Sequence, residues 1–302
     1  RCGQLVSRSE GLVCWFGSNP DRGRRCELTM IVLTRFLERK PWSPARFSNE
    51  FVATRLQVLK TSAMKSLEAQ RFQRFQWLVS VSSELDSAPI KEFLEDGSNL
   101  SLDVVVQDGA EHSASVFARH LCRHEGPYWT VRLDYDDFLH PKFLERVGAL
   151  SEKTGTVVSF PKGVIIDFGR GTIGIRNWVN TPILAYLGSG GSSVYSLGHH
   201  SSAAQRVGHL KIVRTWEPMW LISIKTGNAA NRTQPWDRPS RRSRFAKIFG
   251  LDEFQVNEGP LSYGIRWVKF LKYKAFFSRG IYFRSHVSAI EPTPSGGHQL
   301  AI

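Results

Sequence analysis

The sequence predicts an α/β fold, a mostly parallel twisted sheet flanked by helices, with a basic helical extension at the C-terminus. Three observations predict it. Between residues 30 and 133, four short apolar, β-branched runs are separated by three segments of helical periodicity. Such alternation makes right-handed crossovers and a parallel, doubly wound sheet. The chain has 302 residues, 41% of them hydrophobic, enough for one large α/β domain or a domain of about 200 residues with an appendage. Its net charge of +13 is uneven: from Arg232 onward there are 12 Lys and Arg against 5 Asp and Glu, which puts +7 in the tail.

Residues 1–29 lack clear periodicity and read as a loosely ordered segment. The main α/β domain is expected over 30–237. Its first strand is "MIVLTRF" (30–36), with Met30 a candidate beginning of the protein. Phe51, Val52, Leu56, Leu59, Met64 and Leu67 then recur at three- and four-residue steps, the period of a helix. "FQWLVSVSS" (75–83) is the second strand, and "SAPIKEFLEDG" a helix that starts near a proline and stops at Gly97. "LSLDVVVQD" (100–108) is the third strand, "SASVFARHLCRH" a helix, and "YWTVRLDYDD" the fourth strand with a carboxylate tip. "HPKFLERVGALSEK" follows as an amphipathic helix. "TVVSF" and "KGVIIDF" read as a hairpin around "PKG", and "LGSGGSSVYSLGHH" (187–200) as a flap over a site. "EPMWLISIK" (217–225) returns to apolar order.

Composition narrows the function classes. No run of eighteen apolar residues predicts a membrane span, and "GLVCWFG" is too short and broken for a secretory signal. The cysteines at 2, 14, 26 and 122 form no CxxC pair, so reduced thiols in a cytoplasmic protein are expected rather than zinc or a disulfide framework. The basic charge calls for an anionic partner.

The fourth strand carries the chemistry. Asp134, Asp136 and Asp137 bracket one tyrosine at a strand's carboxyl end, where open α/β sheets bind ligands. Uncompensated, the three repel one another. Two aspartates separated by one residue can share Mg²⁺ or Mn²⁺, hard cations that take carboxylate and phosphate oxygens. Arg132, two residues earlier, faces the same side and can offset the acids or hold a phosphate. The structural alternative is a solvated acidic turn capping the next helix.

"MIVLTRF", "FQRFQWLVSV", "VRLDYDDFLHPKFLE", "NTPIL" and "EPMWL…GNAAN" together resemble the bacterial rhamnosyltransferase family, which is similar to GT-A glycosyltransferases. The resemblance spans roughly residues 30–235 and implies a GT-A-like fold. It implies transfer of a sugar, rhamnose among the candidates, from a nucleotide-sugar donor to a saccharide or lipid-linked acceptor. By the motif match, Asp134 and Asp136 would hold Mg²⁺ or Mn²⁺, and Asp137 would join the catalytic set. Thr34, Arg35, Arg132 and Asp134 would line the donor. Ser82 and Ser83 stand where the pattern has an acid at the end of the second strand. Lys225 stands where it has a histidine, and His199 or His200 are the substitutes. For inversion a general base must take the acceptor proton, with Glu217 the first candidate and Asp167 the second. Glu217 equally suits a helix first turn, and Trp178 and Trp220 suit either a sugar platform or the core.

The extension, 238–302, interleaves aromatics with Lys and Arg. As a helix it would put Trp267, Val268, Phe270 and Leu271 on one arc and Arg266, Lys269, Lys272 and Arg279 on the other. That pattern suits an anionic membrane surface, on the inner face of the plasma membrane, or an ordinary terminal helix. A nucleic-acid-binding protein and a catalytically inactive relative are the rival readings. No nucleic-acid partner is expected, since no helix-turn-helix, zinc finger or RNP-like segment is present. A third rival, a Mg²⁺-dependent phosphoryl-transfer enzyme or nuclease, lacks a P-loop pattern.

Overall fold

The computed structural model describes residues 28–38, 47–109, 111–200, 203, 206–224, 233–241, 243–251 and 256–277. Most of the 1–29 segment, Lys225 and Arg279 lie outside the described residues.

The first half alternates as the periodicity requires. β1 (Thr29–Arg35) leads to α1 (Asn49–Leu59), which passes through a π-helical turn at Lys60–Met64 into α2 (Lys65–Glu68). Ser48 caps α1 by accepting from the Phe51 N–H at 3.3 Å. β2 (Phe75–Ser82), α3 (Ser87–Glu95), β3 (Ser101–Gln107), α4 (Ser113–Leu121) and β4 (Tyr128–Arg132) follow. Asp86, not the proline, starts α3, its carboxylate accepting from the Ala88 N–H at 3.1 Å. The second half contains β5 (Phe138–Leu139), α5 (Phe143–Gly148), β6 (Thr156–Ser159), β7 (Lys162–Asp167), β8 (Thr172–Asn177) and β9 (Leu184–Gly188). A 3₁₀ turn at Val194–Leu197, β10 (His209–Ile212), β11 (Trp220–Ile224), β12 (Arg238–Ser240), α6 (Arg244–Ile248) and α7 (Pro260–Phe277) complete it.

Two sheets result. The seven-stranded one has the order β10-β6-β9-β4-β1-β2-β3. β3, β2, β1 and β4 are mutually parallel, β9 runs antiparallel between β4 and β6, and β10 is parallel to β6. This is the mostly parallel, helix-flanked sheet expected. The five-stranded sheet has the order β12-β8-β7-β11-β5. β12, at the start of the region read as an extension, is its edge strand against β8, and Phe245 and Phe249 pack in its core. The second sheet therefore takes residues from both sides of the boundary drawn at 237/238.

The hairpin expected between "TVVSF" and "KGVIIDF" does not form. β6 and β7 belong to different sheets, and β7 turns back into β8 instead, with Asp167 opposite Thr172. Pro161 has no N–H to give a ladder, and the strands on either side of it are buried on both faces, so apolar patterning cannot choose their partners. Trp220 resolves its two readings towards the core: it is fully buried and its indole N–H donates to the Phe160 carbonyl at 2.6 Å. Its ring lies directly over Gly163, where an added Cβ would sit 2.1 Å from it, so only glycine allows β7 and β11 to pair there. Among the described residues no helix is long and apolar enough to cross a membrane.

Candidate active site

The acidic tip lies where the chain leaves one sheet for the other. β4 ends at Arg132, and β5 begins at Phe138 in the second sheet. Between them the Asp137 N–H donates to the Asp134 carbonyl at 3.1 Å, folding the three aspartates into one turn. β11 supports it from below: the Ser223 hydroxyl donates to the Asp136 carbonyl at 2.7 Å, and the Ser223 backbone N–H reaches the Asp137 carboxylate.

The three carboxylates have different partners. Asp134 is held by Arg132 through two N–H groups, at 3.3 and 3.0 Å, and by Arg35 at 3.6 Å. Those guanidiniums hold its carboxyl down to about 2, against the opposing cost of burial. Asp137 is buried, and desolvation, then the charges of Asp136 and Asp134, push it well above the ordinary carboxylate range. Asp136 is buried as well. Two buried carboxylates that disfavour each other's charge are a donor set that a hard cation would stabilise. By that chemistry Asp136 and Asp137 fit Mg²⁺ or Mn²⁺. Among the described residues no third His, Cys, Asp or Glu completes a metal cluster, and Lys225 lies outside them.

Around the turn, the two arginines share an aromatic floor. Arg35 and Arg132 lie 5.2 and 5.3 Å from the centre of the Tyr195 ring, which stacks on Phe117 at 5.2 Å. The buried Tyr195 hydroxyl and the Arg35 Nε have no hydrogen-bond partner among the described residues. Two orphaned donors beside an acidic turn suit an anionic ligand. Tyr195 comes from the Gly/Ser-rich stretch expected to be a flap. Instead its 3₁₀ turn is packed: Val194, Tyr195 and Leu197 are buried, and the Val194 N–H donates to the Thr130 hydroxyl at 3.0 Å. Glycine content signalled mobility, whereas the apolar residues between the glycines decide the packing.

His200 reaches the same site from the end of that stretch. Its Nδ1 lies 2.7 Å from the Asn180 carbonyl, and its ring meets Trp178 edge-on at 5.2 Å. A carbonyl only accepts, so Nδ1 carries the proton and Nε2 presents a lone pair. Burial, outweighing the Asn180 bond, brings the ring down to about 4. Half-buried Trp178 and His200 thus form a wall beside Arg132 and Asp134, both of which act electrostatically on His200.

Other expected residues separate from this group. Thr34 is inside β1, fully buried, and accepts from the Trp77 indole N–H at 2.9 Å. β1 extends through Arg35, so Thr34 serves the core from within the strand while Arg35, at its end, reaches the site. Glu217 lies at the opposite end of β11 from the acidic turn, beside His140 at 3.6 Å and Lys142 at 3.8 Å. The length of that strand, roughly 13 Å at about 3.3 Å per residue, stands between them. Asp167 is at the correct edge, paired in register with Ile224, but its carboxylate accepts from the Arg170 N–H at 3.0 Å in the β7–β8 turn. Ser82 is buried at the end of β2. Near it, Glu38 accepts from the Ser80 hydroxyl at 2.9 Å and from the Ser113 hydroxyl, which sets a carboxylate at the edge where β2 itself offers serine. Nothing in the periodicity marks Glu38, because its neighbours are distant in sequence.

A family model described as "Putative rhamnosyl transferase" matches residues 37–237, more than half of the chain. The chain belongs to this family. It is an enzyme of the glycosyltransferase type. No curated protein matches it. Among solved structures it is similar to TarS 1-349 from S. aureus in complex with UDP-GlcNAc, at 11% identity and a TM-score of 0.41, covering 85% of this chain and 77% of that one. It is also similar to the mannosyltransferase PcManGT from Pyrobaculum calidifontis in complex with GDP-Man and Mn²⁺. There the identity is 12%, the TM-score 0.43 and the coverage 83% and 75%.

Proposed function

We propose that this family member is a metal-dependent glycosyltransferase that moves a sugar, rhamnose by the family's description, from a nucleotide-sugar donor to a saccharide or lipid-linked acceptor. The observation that carries this reading is the turn of three aspartates, Asp136 and Asp137 buried and mutually repelling and Asp134 paired with Arg35 and Arg132, beside two orphaned donors. Asp136 and Asp137 would hold Mg²⁺ or Mn²⁺. When bound, the cation neutralises the charge that appears on the leaving diphosphate. Asp134 aims Arg35 and Arg132, and Arg35 Nε and the Tyr195 hydroxyl donate to the diphosphate. Glu38 takes the place of the absent acid on β2 and faces the ribose. His200, neutral at pH 7 and with Nε2 free of the Asn180 bond, accepts the acceptor hydroxyl's proton against the Trp178 wall. Glu217 has no part in the step.

The test is a melting-temperature panel with Mn²⁺ and nucleoside diphosphates. One nucleotide should raise the wild-type melting point only with metal present, and should fail to do so for Asp136→Ala. With the matching donor, His200→Ala should slow transfer by ~10²–10⁴-fold while Glu217→Gln stays near wild type. Stabilisation by an oligonucleotide but by no nucleoside diphosphate would sink the reading.

Peripheral membrane attachment belongs to the same proposal, on a different helix face from the one expected. Arg266 turns inward, to Glu258 at 2.8 Å and the Ile173 carbonyl at 3.1 Å, and Trp267 and Phe270 are half-buried. Leu261, Ile265, Val268 and Leu271 instead form an exposed stripe at helical spacing, Leu261 being 79% exposed, with Lys269 and Lys272 exposed beside it. An apolar stripe flanked by lysines is suited to an anionic lipid interface. Wild-type protein should float with anionic liposomes, and Val268→Asp/Leu271→Asp should not. Equal flotation of the two proteins would exclude α7 as the anchor.

A further inference from the structure

A cleft of about 400 Å³ opens at the ends of β7 and β11 opposite the acidic turn, and the residues lining it belong to no step described above. Lys162 begins β7, Arg238 begins β12 and Arg244 begins α6, so three separate elements converge their cations on one space. None of the three has a carboxylate partner among the described residues. The single acid in the lining, Glu217, is already flanked by Lys142 and His140. The Lys162 ammonium is pushed down, first by burial and then by Arg238 and Arg244, as expected of like charges gathered without a counter-ion. Its amine also donates to the Trp216 carbonyl, which fixes the backbone that carries the indole.

Trp216 is 95% exposed. A folded chain leaves a tryptophan face in water rarely, because burying it is among the larger apolar gains available. Exposed indoles serve as flat apolar platforms with a polar edge. An indole beside converging cations is suited to a ligand with both an apolar ring face and negative charge.

We propose that this cleft binds an anionic saccharide, its carboxylate or phosphate held by Lys162, Arg238 and Arg244 and a sugar ring lying on Trp216. It is a second saccharide site, separated from the donor edge by the length of β7. An acceptor chain anchored there would be held at a point remote from the sugar being extended. The choice of a saccharide rests on the glycosyltransferase reading; the anion site does not.

Calorimetric titration of the full chain without nucleotide or metal tests it. The probes are a trigalacturonate, its methyl-esterified neutral form, glucose 1-phosphate, inorganic phosphate and anionic vesicles. The charged saccharides should bind at least about tenfold more tightly than the neutral ester, as loss of a charge-assisted contact requires, and added salt should weaken them. Arg238→Ala/Arg244→Ala and Trp216→Ala should each reduce that binding about tenfold or more at an unchanged melting temperature, since all three side chains are at the surface. Equal binding of the ester overturns the proposal. So does binding of inorganic phosphate as tight as that of the saccharides and indifferent to Trp216→Ala, which would mark a plain anion site. Binding only to vesicles overturns it in favour of a lipid headgroup. Because nucleotide and metal are left out, failure of the manganese-dependent stabilisation would remove the donor assignment and leave this result standing.

Discussion

Asp137→Asn should stabilise the metal-free protein at neutral pH and at the same time remove metal-dependent transfer. Asp137 is buried beside Asp136 and Asp134, and its folded proton affinity lies well above the ordinary value. A carboxyl raised in this way favours folding fully below its unfolded pKa, about 3.9, and loses that contribution as pH climbs through its folded value. In chelator-treated buffer, wild-type stability should therefore fall as pH rises above about 4, and the variant should not follow it. The amide oxygen introduced by the substitution can still accept from the Ser223 N–H, so the support from β11 is kept. Each kcal/mol of relief raises the melting temperature of a domain this size by ~2–4 °C. Manganese should close the gap by stabilising wild type alone. Loss of a metal ligand at a transfer site should cost ~10³-fold or more in rate, the scale of removing a preorganised charge stabiliser. A variant that is less stable than wild type without metal, or that transfers normally, would contradict the role given to Asp137. The acid limb runs the other way and does not overlap: Asp134, held down to about 2, contributes stability above its unfolded pKa and loses it only as pH falls towards that value.

The largest purely structural effect is expected at Asp237. Its carboxylate accepts from Arg176 Nε at 2.6 Å and Nη2 at 2.7 Å, and from the Gln234 N–H at 2.7 Å. Both partners are buried, and the pair ties β8 to the chain entering β12. Asp237→Ala strips the carboxylate from a buried guanidinium, which costs ~3–5 kcal/mol, or roughly 10 °C or more in melting temperature. Arg176→Met/Asp237→Leu should recover most of that loss, since replacing both charges by apolar groups of similar size is close to neutral. Thermal unfolding of the two variants decides it. A small shift for Asp237→Ala would show that the pair contributes little, and failure of the double variant to recover would mean the charge itself is needed.

Much of the acidic edge is written locally. The four parallel strands show themselves because each is a β-branched run set off by a helical period; the first three start and end within one residue of expectation, while β4 stops at Arg132, short of the carboxylate tip. The acidic turn is visible for the same reason: its three carboxylates, and Arg132 beside them, fall within six residues of one another. What surrounds them is not local. Tyr195 joins the site from some sixty residues downstream because the apolar face of its 3₁₀ turn packs on Phe117, and a glycine-rich composition hides that. Glu217 looked like a base from its place before an apolar strand. Which end of a strand faces the site depends on strand direction, and that is set by the pairing of β11 with β5 and β7.

By itself the sequence determined the parallel α/β core, the carboxylate edge and the basic C-terminal helix, since each follows from side-chain period or charge within one short segment. Only the tertiary structure decided that Thr34 and Trp220 serve the core, that His200 and Glu38 stand at the edge, and that Trp216 faces a basic cleft. These depend on which strands pair across two sheets. Strands buried on both faces carry no alternation to specify their neighbours.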